Sequence, residues 1–329
     1  MKRIRKAWVC IVITILSATI GVSQNLNGIT GNRDTSYTNA IAFAKDVKKY
    51  PQIKLVEEFT LENVQEEKDI IYCSDGERNL KLDVFQNITQ IDSVRTAIII
   101  IHGGGWRSGD KSQHFPLAQK LASLGYVCFT PEYRLSTEAL FPAAVHDLKS
   151  AIRWVRSNAK KYRIDPEKIV ISGFSAGGEL AAFLGTTSNM PLYEGYGCEK
   201  NSSSHVNAII DMDGTLSFVH SESGEGDDSK SISAATHWFG YSKKENPVLW
   251  QAASPLSYVN QKTPPTLFIN SSVDRMHAGR EDYTNSLKVY GIYSEIISFE
   301  TAPHSFVLYH PWFNPTINGI DTFLTTIFR

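Results

Sequence analysis

The chain has 329 residues, of which 42% are hydrophobic, and a formal net charge of -1 at pH 7. That length supports a substantial core in one large α/β domain or two small ones. The basic residues are scattered apart from Lys2, Arg3, Arg5 and Lys6, so composition offers no footprint for nucleic acid or another polyanion.

This basic cluster precedes an apolar run from Ala7 to Ile20 and small residues at Gly21 and Ser23, the layout of a secretory signal peptide. Cleavage is expected near Ser23 or Gln24, giving a secreted or periplasmic protein. The run is shorter than the roughly 20 apolar residues of a spanning helix, so no stable membrane insertion is expected after cleavage. Cys10 lies too early in the run for a lipoprotein cysteine. The remaining Cys73, Cys128 and Cys198 are odd in number and lack short paired spacing, which indicates neither a zinc site nor a disulfide framework.

Residues 24–66 form a polar leader with a helical stretch near Asn39 to Lys49. The catalytic domain is expected over 67–329. It opens with a hairpin, Ile70 to Tyr72 and Leu80 to Phe85, around a polar turn near Ser74 to Glu77. Thr96 to Ile101 is an unbroken run suited to a strand buried on both faces. A glycine loop, a helix through Ala118 to Leu124 and the strand Val127 to Thr130 complete one crossover. The alternation continues with the helix Ala143 to Ala159, the strand Ile169 to Ser172 and the helix Ala176 to Leu184. The strands Val206 to Asp211, Thr266 to Ile269 and Tyr293 to Phe299 follow. The order predicts an α/β fold with a mostly parallel sheet of about eight strands and helices on both faces. Residues 214–250 turn polar and glycine-rich, and are expected to form an insertion over the sheet.

Gly173-Phe174-Ser175-Ala176-Gly177 stands directly between a predicted strand and a predicted helix. A serine at such a turn has an exposed hydroxyl, the flanking glycines remove colliding Cβ atoms, and the helix start favours developing negative charge. Ser175 is therefore the candidate nucleophile. His102-Gly103-Gly104-Gly105-Trp106 follows another strand, and its amides can turn toward a carbonyl oxygen. Gly104 and Gly105, with Ala176, are the candidate oxyanion hole.

A serine hydroxyl needs a base. Of the nine histidines, His304, after the last strand, is best placed. The acid that orients it is expected after the preceding strand: Asp274 is favoured, with Glu281 and Asp282 as alternatives in the same stretch. Asp147, early in a helix, reads as structural.

These motifs, with Pro131-Glu132-Tyr133-Arg134-Leu135, Phe141-Pro142-Ala143-Ala144 and Pro264-Pro265, resemble the lidless carbohydrate esterases of the α/β-hydrolase superfamily. The resemblance runs from about Asp69 to Arg329 and extends to acetyl and feruloyl esterases of plant cell-wall polysaccharides. Ile269-Asn270-Ser271-Ser272, His277-Ala278-Gly279-Arg280 and His310-Pro311-Trp312-Phe313 are similar to a narrower group that deacetylates pectin or rhamnogalacturonan. Many relatives carry a His-Gly turn before the acid where this chain has Asn270-Ser271, and members of the narrower group lack an acid at the position of Asp274.

The resemblance implies a two-step acyl transfer on acetylated or feruloylated polysaccharides such as pectin or xylan, with no metal or organic cofactor. Trp106 and Trp312 are candidates to stack on a sugar ring, set against a role in core packing, and Arg280 is a candidate for a uronate carboxylate, set against a solvated surface role. The alternatives, in order, are a general short-chain carboxylesterase or lipase, a serine peptidase and a catalytically silent binding module.

Overall fold

The computed structural model describes residues 24–74, 78–89 and 94–328. The segment read as a signal peptide, 1–23, and residues 75–77 of the predicted hairpin turn lie outside the described residues. Among those described, the strands are β1 (Lys54–Leu55), β2 (Val64–Ser74), β3 (Asn79–Asn87), β4 (Arg95–Ile101), β5 (Val127–Pro131), β6 (Ile164–Phe174), β7 (Ala208–Met212), β8 (Thr266–Asn270), β9 (Ser294–Ser298) and β10 (Tyr309–His310). The helices are α1 (Asn39–Asp46), α2 (Phe115–Ser123), α3 (Ala143–Ser157), α4 (Ala159–Tyr162), α5 (Ala176–Thr186), α6 (Pro191–Glu194), α7 (Ala234–Phe239), α8 (Pro247–Ala252), α9 (Arg280–Val289) and α10 (Phe313–Ile327).

Eight strands form one sheet in the order β2-β3-β5-β4-β6-β7-β8-β9, and β1 pairs separately with β10. The β2-β3 and β3-β5 pairs are antiparallel and the rest of the large sheet is parallel. This is the α/β arrangement expected from the sequence.

The central strand β4 explains the layering. Ala97, Ile99 and Ile101 face a core shared with α3 and α5, whereas Ile98 and Ile100 face a second core shared with α2 and α10. A strand covered on both faces needs apolar residues at successive positions, because its side chains alternate between faces.

The parallel register aligns the carboxyl ends of the strands: Ile101 lies opposite Gly173, Phe174 opposite Met212, and Met212 opposite Ile269. The loops that leave β4, β6, β7 and β8 therefore emerge side by side on one edge, where open α/β sheets hold their ligands.

Two compositional readings need correction. Within 214–250, Phe218, Trp238, Phe239 and Trp250 are fully or almost fully buried and join the α3/α5 core. The polar residues between them dilute the average without exposing these rings. Cys73 and Cys198 form a disulfide across 125 residues of sequence, a pairing that local spacing does not encode. Cys128 is free and buried.

Candidate active site

Ser175 sits between β6 and α5 at φ 57, ψ -122, a backbone conformation that is strained for a residue with a side chain. Its amide donates to the carbonyl of Met212 at 2.8 Å, pinning the turn to β7. The flanking glycines are required by crowding: a Cβ on Gly173 would lie 1.9 Å from the Gly177 carbonyl oxygen, and one on Gly177 would lie 2.2 Å from that of Ile101.

His304 enters from the loop after β9, its ring tilted against Phe174 with centroids 4.8 Å apart. Its Nε2 is 2.9 Å from Ser175 Oγ and its Nδ1 is 2.9 Å from Asp213 Oδ2. An ionised carboxylate accepts only, so Nδ1 donates to Asp213 and Nε2 is left to accept from the serine hydroxyl.

Asp213 is fully buried at the end of β7, with φ 54. The Ser271 amide donates to its Oδ1 at 2.8 Å, the Ser271 hydroxyl donates to its Oδ2 at 2.5 Å, and the Asn270 side chain donates to Oδ1 at 3.4 Å. Buried carboxylates require such partners.

The expectation for the acid is thereby corrected. Asp274 has a 94% exposed side chain and lies 4.0 Å from His277. Glu281 pairs with Arg280, and Asp282 lies near His220. None of the three is on His304. The acid comes instead from the preceding parallel strand, and Asn270-Ser271, where the sequence order suggested an acid nearby, supplies the donors that hold it. The readable signal was Asp211-Met212-Asp213-Gly214 at a strand end, combined with the departure at Asn270-Ser271.

The glycine loop lies against the serine: a Cβ on Gly103 would be 3.1 Å from Ser175 Cβ. Gly104 and Gly105 have φ of 123 and 60, which only glycine adopts freely at the first. The Gly103 amide is occupied by Gln113 Oε1 at 2.7 Å. Among the described residues, the amides of Gly104, Gly105 and Ala176 make no hydrogen bond, and this leaves three donors for a developing oxyanion.

The candidate substrate contacts are placed otherwise. Trp106 is buried, stacked on Trp238 with centroids 4.9 Å apart, and its indole donates to Glu179 Oε2 at 2.9 Å. Trp312 is buried in the α2/α10 core. Arg280 donates to Asn270 Oδ1 at 2.9 Å and pairs with Glu281 at 2.7 Å, so it backs the residue that approaches Asp213. Both tryptophans are buried members of the core, where a large apolar ring is stabilised by packing.

Below the turn, Glu179 and Asp211 are fully buried, and burial pushes both carboxyls well above the usual range, with the Asp211 charge raising Glu179 further and the Asp213 charge raising Asp211. Burial lowers the His102 imidazole to about 4, so it is neutral at pH 7, stacked on Tyr133. Among the described residues, no group of three or more His, Cys, Asp or Glu side chains is arranged to hold a metal, and no helix is long and apolar enough to cross a membrane.

The family model BD-FAE matches residues 82–280. Esterase LipQ of Mycobacterium tuberculosis is 30% identical over 241 residues, covering 72% of this chain and 56% of that protein. Esterase LipC of the same organism is 27% identical over 202 residues, covering 59% and 48% respectively. The chain thus spans about half the length of these curated relatives. Among solved structures, a truncated carbohydrate esterase from gut microbiota superposes with a TM-score of 0.69 at 26% identity, covering 82% of this chain and all (100%) of that one. The propionate-bound esterase Est2 of the planctomycete Thermogutta terrifontis gives 0.64 at 28% identity, covering 81% and 95%.

Proposed function

From the premise that the chain belongs to the BD-FAE esterase family, we propose that it is an exported serine esterase that removes acetyl groups, with feruloyl as a second acyl class, from plant polysaccharides such as pectin or xylan. The observation that carries this reading is the hydrogen-bonded array Ser175, His304, Asp213 beside three unengaged backbone amides.

In this mechanism Ser175 Oγ attacks the ester carbonyl carbon while its proton passes to His304 Nε2. The Gly104, Gly105 and Ala176 amides stabilise the oxyanion. As the tetrahedral intermediate collapses, the C–O bond to the sugar breaks and His304 returns the proton to the departing oxygen. Water, deprotonated by His304, attacks the acyl-serine; the acid is released and Ser175 regains its proton. Asp213 holds the imidazole tautomer and offsets its charge throughout.

The likeness to a carbohydrate esterase over the whole of that truncated chain supports the sugar substrate. Export is supported by the N-terminal charge and hydropathy pattern and by the Cys73–Cys198 disulfide, since such bonds persist in oxidising compartments. A second reading, a short-chain carboxylesterase, draws on the propionate-bound Thermogutta esterase.

The test is to incubate the enzyme and its Ser175→Ala variant with acetylated pectin, acetylated xylan, a feruloylated oligosaccharide and a synthetic acetate ester. Acetate or ferulate release from a polysaccharide, abolished in the variant, is the expected outcome. Turnover of the synthetic ester alone selects the second reading.

A further inference from the structure

The oxyanion loop is supported at both ends by groups with no direct place in the chemistry. Its start is held by Gln113, which is 5% exposed and whose Oε1 accepts the Gly103 amide at 2.7 Å. Gln113 Nε2 is buried without a partner among the described residues. A buried amide with half of its hydrogen-bonding capacity unmet is costly, and a leucine of similar size would fill the space without that cost. Its carbonyl oxygen is therefore the reason for a glutamine there: without it the Gly103 amide has no acceptor, and Gly103 lies against Ser175.

Gln113 is in turn clamped by the N-terminal segment. Asn39 Nδ2 donates to the Gln113 backbone carbonyl at 3.0 Å. The same segment grips the far end of the loop, where the Gly109 amide donates to the Asp34 carbonyl at 3.0 Å and Arg33 bridges Asp110 and Glu132, both at 2.6 Å. Asp110 also caps the short turn Lys111–His114 that carries Gln113, accepting from the Ser112 amide at 2.8 Å. Residues 33–39 precede the region matched by the family model.

We infer that Gln113 is a positioning residue for the oxyanion loop, and that the 33–39 strap, by clamping Gln113 and Gly109, is a working part of the active site. Residues read from sequence as part of a polar leader thus set the aim of the Gly104 and Gly105 amides. This inference rests on the esterase reading above.

The experiment uses the full chain with p-nitrophenyl acetate as substrate and a trifluoromethyl ketone, which forms an oxyanion adduct with the serine, as transition-state probe. Gln113→Leu is expected to lower kcat by about tenfold to a hundredfold, somewhat less than outright removal of an oxyanion donor, with KM little changed and ketone affinity falling in parallel. Gln113→Glu, which keeps an acceptor oxygen, is expected to restore most of both. Asn39→Leu is expected to give a smaller loss of the same kind, and it carries the test alone if Gln113→Leu fails to fold. Unchanged kcat and ketone affinity in the variants, with an active wild type, overturns the positioning role and leaves the esterase reading intact. A loss confined to thermal stability does the same. A wild type inactive on every ester overturns both.

Discussion

Asp213 illustrates how much one buried carboxylate does at the residue scale. It accepts from the Ser271 amide, the Ser271 hydroxyl and His304 Nδ1, so both oxygens are committed to donors. An asparagine would point an NH2 group at one of them or force the other tautomer on the imidazole. Asp213→Asn is therefore expected to lower kcat by about 10^4, the size of loss seen when a triad acid is neutralised. Asp274→Asn, at an exposed turn, is expected to stay within about twofold of wild type, as surface changes do. Steady-state kinetics on a synthetic acetate ester checks both, and comparable losses in the two variants would sink the assignment.

At the scale of elements, β6, α5 and β7 meet so closely that Glu179, one turn after Ser175, is sealed in the core with Asp211. Its folded-state carboxyl is raised well above 4.5, chiefly by burial. Below that ordinary value both folded and unfolded chains hold the proton. Above it the unfolded chain releases the proton while the folded chain keeps it, so this group's contribution to stability is lost as pH rises toward the folded pKa. Glu179→Gln retains an acceptor for the Trp106 indole and removes the titration. Its melting temperature relative to wild type is expected to climb steadily from about pH 4.5 to neutrality. A difference independent of pH would mean that the folded protein holds Glu179 ionised. Histidines act with the opposite sign: His102, lowered to about 4 by burial, contributes stability present above its ordinary 6.5 and lost as pH falls toward 4.

Across the whole molecule, the Cys73–Cys198 bond ties the edge strand β2 to the segment after α6, closing a loop of 125 residues. A cross-link of that span is expected to stabilise the fold by about 2–5 kcal/mol. The Cys73→Ser/Cys198→Ser double variant should melt several degrees lower, with activity at room temperature retained because neither sulfur touches the site. Calorimetry with and without reductant checks this, and identical melting curves would contradict it. What the chain determined by itself was local: the strand and helix order, legible in runs such as Ile98 to Ile101; the serine between glycines at a sharp turn; and the glycine loop beside it. Each depends on contiguous residues whose periodicity and backbone freedom can be read in place. Tertiary structure decided the rest, including Asp213 rather than Asp274 on His304, the burial of Trp106 and Trp238, the disulfide, and the grip of residues 33–39 on the oxyanion loop. Those outcomes join groups tens to hundreds of residues apart: strand order and register set Asp213 beside His304, and the packing of loops and segments outside the strands sets the others.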